Sequence, residues 1–210
     1  MCRKCRRYSC LFPSFCPNYN ADQKPLIKLL DKVAAVRGVR RVFVNSGIRL
    51  DLAMRQPELT QKIIAENVSG QLSVAPEHLD PSVLALMRKG KAGEFETFRR
   101  IFERVNGETG KKQFLVPYFI SNFPGCTEAN MKIVDDYLEK SHWSLRQVQD
   151  FIPLPMTMGC AMYCSGVSPD GKPIAVNKGL AERRVQRDML RRRHDPNSGG
   201  GKYRPFGGRK

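Results

Sequence analysis

No run of 18 or more apolar residues occurs in the chain, which excludes a helical membrane span. The start, MCRKCRRYSC, is basic but has no apolar core or small-residue cleavage site, so no secretory leader is expected. There is no Ser-His-Asp arrangement, no P-loop and no GxGxxG, which leaves those enzyme classes without support. No internal repeat is found, and acidic residues are few: 20 Asp and Glu stand against 36 Lys and Arg, for a net charge of +16. The chain has 210 residues, fewer than the roughly 250 of a complete α/β barrel.

The excess charge is uneven. Residues 172–210 carry twelve Lys and Arg against three Asp and Glu, and Arg3, Lys4, Arg6 and Arg7 add four more cations. Residues 8–171 are therefore close to neutral, at +3, and the high isoelectric point describes the ends of the chain.

What is present is a series of apolar strands, each ending in a small or polar cluster and followed by a helix. VRRVFVNSG, GQLSVAPEH, KKQFLVPYFISNFPGCT and VQDFIPLPMT predict four strands, at 39–45, 70–75, 113–121 and 148–152. Strands alternating with helices belong to a parallel sheet wound through βαβ units, which commonly curls into a barrel. Barrel chemistry sits where strands end, so Asn45-Ser46-Gly47, Pro76-Glu77-His78, Ser121-Asn122 and Pro153-Leu154-Pro155 are expected to share one rim. Helices are predicted at 24–37, at 51–66 with a break at Pro57, after the Asp80 cap, at 94–105, at 128–139 behind a Thr127 cap, and at 180–193. In the last, Leu180, Val185, Met189 and Leu190 are too few for a deep core face. The chain thus divides into a Cys-rich lead at 1–20, an α/β body at 21–170, a basic helical extension at 171–196 and a Gly-rich basic tail at 197–210, expected to be disordered.

Seven cysteines without export imply reduced thiols or metal ligands and a cytoplasmic protein. Cys2, Cys5, Cys10 and Cys16, spaced C-x2-C-x4-C-x5-C, form a set that can close around zinc or an iron-sulfur cluster; the alternative is a lead that packs under the body with Tyr8, Phe12 and Phe15. Cys126 lies beside the Thr127 helix cap, where the helix dipole favours a thiolate. Cys160 and Cys164 form a second pair, and all three equally suit the small apolar role of free cysteine.

Among rim residues, Glu77 and His78 leave one strand end together, and Arg88 and Lys89 return one short helix later. A carboxylate for ribose hydroxyls and cations for a carboxylate make a cradle for a zwitterion bearing a ribose; an ion pair of Glu77 with Arg88 is the competing reading. Asn45, Ser46, Gly47 and Arg49 form a further cluster, although Arg49 can pair with Asp51 instead. Of Gln149 and Asp150 on the last strand, one is expected to face the interior. His142, beside Trp143 in a loop, is assigned a structural role.

VFVNSGIRLDLA, GQLSVAPEHLDPSVLALMRKG, GKKQFLVPYFISNFPGCTEANM and VQDFIPLPMTMGCAMYCSG resemble the later part of the YgiQ-like radical S-adenosylmethionine (SAM) family, over about residues 1–170. The resemblance implies the carboxyl-terminal part of a partial (β/α) barrel that binds SAM, in a protein where reduction of cluster-bound SAM gives a 5'-deoxyadenosyl radical. It places Glu77 on a SAM-contacting strand, with His78 and Arg88 near it. FPGCTEANM, with Pro124 and Gly125, resembles the loop whose backbone lies against the adenine. Asn45 and Ser46 join this cofactor-binding set. The family holds a 4Fe-4S cluster with a C-x3-C-x2-C loop that is absent here, so the cluster ligands are expected outside this chain. The family also has an N-terminal region and two further strands upstream. The expected partner is therefore that missing half, within a longer protein or as a split subunit, with a substrate that is small or macromolecular. Two other readings stand beside this one: nucleic-acid binding through RRVQRDMLRRR and KYRPFGGRK, and a zinc module at the N-terminal cysteines.

Overall fold

The computed structural model describes residues 5–7, 9–143, 145 and 148–191. Cys2, Tyr8 and the Gly-rich tail at 197–210 lie outside the described residues. In chain order the elements are α1 (Lys24–Ala34), α2 (Leu50–Ala53), α3 (Pro57–Glu66), β1 (Gln71–Glu77), α4 (Pro81–Leu86), α5 (Glu94–Thr109), β2 (Phe114–Ser121), α6 (Glu128–Lys140), β3 (Gln149–Asp150), α7 (Met158–Ser165) and α8 (Leu180–Arg191). Among the described residues no helix is long and apolar enough to cross a membrane.

The predicted α/β alternation is present, with a parallel sheet in the order β1-β2-β3. Among the described residues it has three strands rather than four. Residues 39–45 form no regular strand: Val44 donates to the Asn67 carbonyl at 2.9 Å, the Asn67 side-chain amide donates to Val42 at 2.9 Å, and pairing with β1 is confined to a bridge between Ile48 and Val74. Asn67 takes the groups a ladder would use, and with a sheet on one side alone the segment never acquires two rows of bonds. The strand predicted at 148–152 shrinks to two residues, because Pro153 and Pro155 follow at once and cannot donate to a ladder.

Burial alternates along the strands and sets the two faces of the sheet. Leu72 and Val74 on β1 and Leu115 and Phe119 on β2 are buried under the helices, while Ser73, Ala75, Glu77, Val116, Tyr118 and Ile120 point to the other face and are half-buried. The helical side supplies Phe95, Phe98, Phe102 and Val105 from α5, Met131, Val134 and Leu138 from α6, and Leu59, Ile63 and Ile64 from α3. Phe95 meets Phe119 edge-on at 6.0 Å and stacks on Trp143 at 5.6 Å. Each such ring contributes about 1.5 to 3 kcal/mol by leaving water.

Helix starts follow the sequence closely. Pro57 separates α2 from α3, the Asp80 carboxylate accepts from the Ser82 and Val83 amides, and Thr127 forms a capping box with Asn130. Two helical features differ from expectation. Met158–Ser165 is a helix with no apolar stripe to announce it, started by the Thr157 cap and ended by Gly166 at φ 69°. The predicted shallow helix at 180–193 is instead docked, with Leu190 at 0% and Gln186 at 1% exposure. Its buried face is partly polar, which a count of apolar positions misses.

Polar contacts at the ends of β2 and β3 hold α8 in place. Asp150 accepts from the Ser121 hydroxyl (3.0 Å), the Asn122 amide (2.6 Å) and the Arg183 guanidinium (2.8 Å). Gln186 accepts from the Asn122 backbone N–H at 2.8 Å and donates to the Cys126 carbonyl at 2.7 Å. We predict that Asp150→Ala loosens α8 by about 1.5 to 3 kcal/mol, the range for hydrogen bonds to charged groups. Limited proteolysis should then cut first within residues 172–191, and an unchanged cleavage pattern would show that α8 is held by its apolar contacts alone.

Candidate functional site

The open face of the sheet carries a cavity of about 330 Å³ lined by Asn45, Gly47, Ser73, Ala75, Glu77, Tyr118, Ile120 and Gln149. Small Ser73 and Ala75 leave the space, and Glu77, Asn45 and Gln149 bring polar groups to it. Glu77 owes its aim to a backbone irregularity. Pro76 and Pro117 each remove a ladder donor, the β1–β2 register slips between Val74 and Glu77, and Glu77 takes a positive φ of 62°. Its carboxylate pairs with Lys89 at 2.7 Å.

Lys89 thus takes the role that the sequence offered to Arg88. Arg88 turns back at φ 53°, its carbonyl accepts from Arg49 at 3.1 Å, and its side chain lines a separate groove with Arg7, Leu86 and Lys172. Arg49 grips Asp51 through two bonds of 2.7 Å, as its alternative reading held, and this contact raises its pKa. Gln149 is the member of its pair that reaches the open face, while Asp150 serves the α8 network.

A cavity of about 20 Å³, the size of one water, lies behind the site between Arg49, Asp51, His78, Glu94 and the loop Lys89–Gly93. A Cβ at Gly90 would fall 1.8 Å from the Glu94 carboxylate, which would have to move aside. Burial raises the Glu94 pKa.

His78 is a neighbour of Glu77 in sequence but not in space. It is 1% exposed, and its Nδ1 accepts from the Asp80 amide at 2.9 Å, so Nε2 carries the proton and faces Cys126 Sγ at 3.5 Å. Burial lowers the His78 pKa to about 4 and pushes the Cys126 thiol up to about 12, so at neutral pH both are uncharged. The helix-dipole expectation for Cys126 therefore gives way to desolvation. Gly125 also faces away from the cavity: its amide donates to the Ala175 carbonyl at 2.8 Å, and a Cβ would sit 2.2 Å from Leu86. The close approach this glycine permits is made by the protein itself, and Pro124 beside it is buried. Of the expected set, the structure joins Asn45 and Glu77 at one cavity; Ser46 is exposed outside its lining, and His78, Arg88, Pro124 and Gly125 lie elsewhere. Ser73 and Tyr118 were missed, though their alternation with buried Leu72 and Phe119 is a signal for them.

Of the N-terminal cysteines, Cys5 and Cys10 are exposed and Cys16 is buried, with the Cys16 amide donating to the Cys10 carbonyl at 2.7 Å. Among the described residues no group of three or more His, Cys, Asp or Glu is placed to share a metal, and Cys2 lies outside them.

The buried neutral histidine makes a pH prediction. The folded pKa is about 4 against 6.5 unfolded, so the unfolded chain takes up a proton first and stability falls as pH drops from 6.5 towards 4. At pH 4.5 the loss from this group is about 2 to 3 kcal/mol. Urea midpoints at pH 7 and 4.5 should converge in His78→Asn, whose Oδ1 can still accept from Asp80; an equal acid loss in the variant would assign the effect to other groups.

No protein-family model matches the chain. It is 40% identical over 201 residues to a UPF0313 protein of Bacteroides thetaiotaomicron, covering 90% of this chain and 32% of that protein. UPF0313 protein RPA0679 of Rhodopseudomonas palustris is 39% identical, covering 92% of this chain and 30% of its own length, and UPF0313 protein VP1980 of Vibrio parahaemolyticus is 40% identical, covering 91% and 26%. The chain therefore matches UPF0313 proteins along nearly all of its length and spans about a third or less of theirs.

Proposed function

We propose that this chain is the cofactor-facing and substrate-facing part of a radical SAM protein of the YgiQ-like family, with its sheet forming part of a barrel that a longer protein or a split partner completes. The observation that carries the reading is Glu77, a carboxylate at a strand end on a cavity of about 330 Å³. That volume is at the low end for a small-molecule site, as expected where only one wall is present. The similarity to UPF0313 proteins three to four times as long supports the same view.

The residues fit the nucleoside end of SAM. Glu77 can accept from ribose hydroxyls, Lys89 at 2.7 Å from it can turn to the methionine carboxylate, and Asn45, Gln149 and the Tyr118 ring offer polar and stacking contacts. Bound SAM would supply hydrogen-atom abstraction. The chain's own residues bind and orient: Ser73 and Ala75 leave room, and the bulge at Pro76 fixes the Glu77 backbone before any ligand arrives. The residues do not fit the cluster, since the C-x3-C-x2-C loop is absent from the sequence, and no step is routed through it.

Purified alone, the chain should form no 5'-deoxyadenosine from SAM after anaerobic reconstitution with iron and sulfide and reduction by dithionite; product above a no-protein control would refute the reading. Supplied with the upstream part of the Bacteroides relative, it should bind SAM, and Glu77→Gln should weaken binding by about 1.5 to 3 kcal/mol. Calorimetric titration of SAM that gives equal affinities for both proteins would remove Glu77 from the site.

A further inference from the structure

The α7 helix carries a feature that the SAM reading does not use. Cys160 and Cys164 lie one helical turn apart on the same face of α7. Cys164 is exposed and Cys160 half-exposed, and both are free thiols. The helix beneath them is well anchored: the Cys160 amide donates to the Thr157 hydroxyl at 3.2 Å, Gly159 packs on the Phe151 ring, and Tyr163 lies 5.9 Å from that ring. A cation is tethered alongside. Lys178 Nζ donates to the Cys164 carbonyl at 3.3 Å and stands 5.7 Å from the Tyr163 ring.

We propose that Cys160 and Cys164 form a two-sulfur site for a soft monovalent cation, Cu(I). The ion follows from the donors. Thiolates select soft metals, and among the described residues no third His, Cys, Asp or Glu joins the pair, as the tetrahedral set of a structural zinc site would need. Calcium and magnesium call for oxygen ligands, which the pair does not offer. A low-coordinate d10 ion is satisfied by two thiolates. Binding breaks two S–H bonds and forms two Cu–S bonds, releasing two protons with no change of oxidation state. The bis-thiolate complex carries one negative charge, which the Lys178 ammonium offsets. Because two protons leave, affinity rises with pH.

The test is an anaerobic titration with Cu(I) against bicinchoninate, on the full chain with Cys2, Cys5, Cys10 and Cys16 replaced by Ser so that only the later thiols are read. One equivalent should bind, more tightly at pH 8 than at pH 7, and Cys160→Ser or Cys164→Ser should each weaken it at least 100-fold. Lys178→Met should weaken it by a smaller factor, and X-ray absorption of the loaded protein should show two sulfur neighbours. Circular dichroism of the serine variants guards against unfolding, and Cys126→Ser serves as a control that should leave binding unchanged. Retention of the equivalent in both α7 variants, three or more ligands at copper, or no uptake at all would overturn the site. None of these outcomes depends on SAM.

Discussion

Asp150 accepts from Ser121 and Asn122 at the end of β2 and from Arg183 on α8, and the docking of α8 against the end of the sheet depends on that one carboxylate. A half-buried negative charge costs desolvation unless it is met by donors, and here three side chains from two elements meet it. Their positions fix the rest. Asn122 sits at φ 60° with its amide pointed at Asp150, its carbonyl oxygen accepts from Asn177 at 2.8 Å, and its backbone N–H donates to Gln186. Gln186 in turn reaches the Cys126 carbonyl, while Gly125 holds Ala175. Residues 174–186 are thus laid over the loop that follows β2, and Gly125 there has Leu86 of α4 and Ile174 as its nearest neighbours.

Local signals made much of the fold legible. Pro57, Asp80, Thr127 and the apolar periods of α5 and α6 act through neighbours three or four residues away, and the sequence shows those neighbours directly. The parallel α/β class followed from the same evidence. The segment at 39–45 misled because its Val-rich composition states a preference for strand, whereas a ladder also needs an edge to pair with, and Asn67 holds that position. Helix α7 was invisible because caps alone announce it, and α8 was undervalued because its most buried side chains include a glutamine.

The site was legible to the same physical depth. Glu77 and Asn45 line one cavity because Glu77 ends β1 and the segment carrying Asn45 runs beside β1 into the Ile48–Val74 bridge. His78 could not be placed in this way. One residue after Glu77, it follows the alternation of β1 into the core, where its partners Asp80 and Cys126 are set by a cap and by a distant loop. Lys89 replaced Arg88 opposite Glu77 because Arg88 adopts a left-handed backbone and spends its carbonyl on Arg49.

Burial of Cys126 against His78 sets it apart from the exposed thiols Cys5, Cys10 and Cys164. Cys126 is 2% exposed and its proton is held far above neutral pH, so it can react with an alkylating reagent only when the core opens. Cys5, Cys10 and Cys164 stand in solvent and react from the folded state. The chain therefore carries its own clock for opening of the core, read from the slow thiol against the fast ones, without any probe having to be introduced.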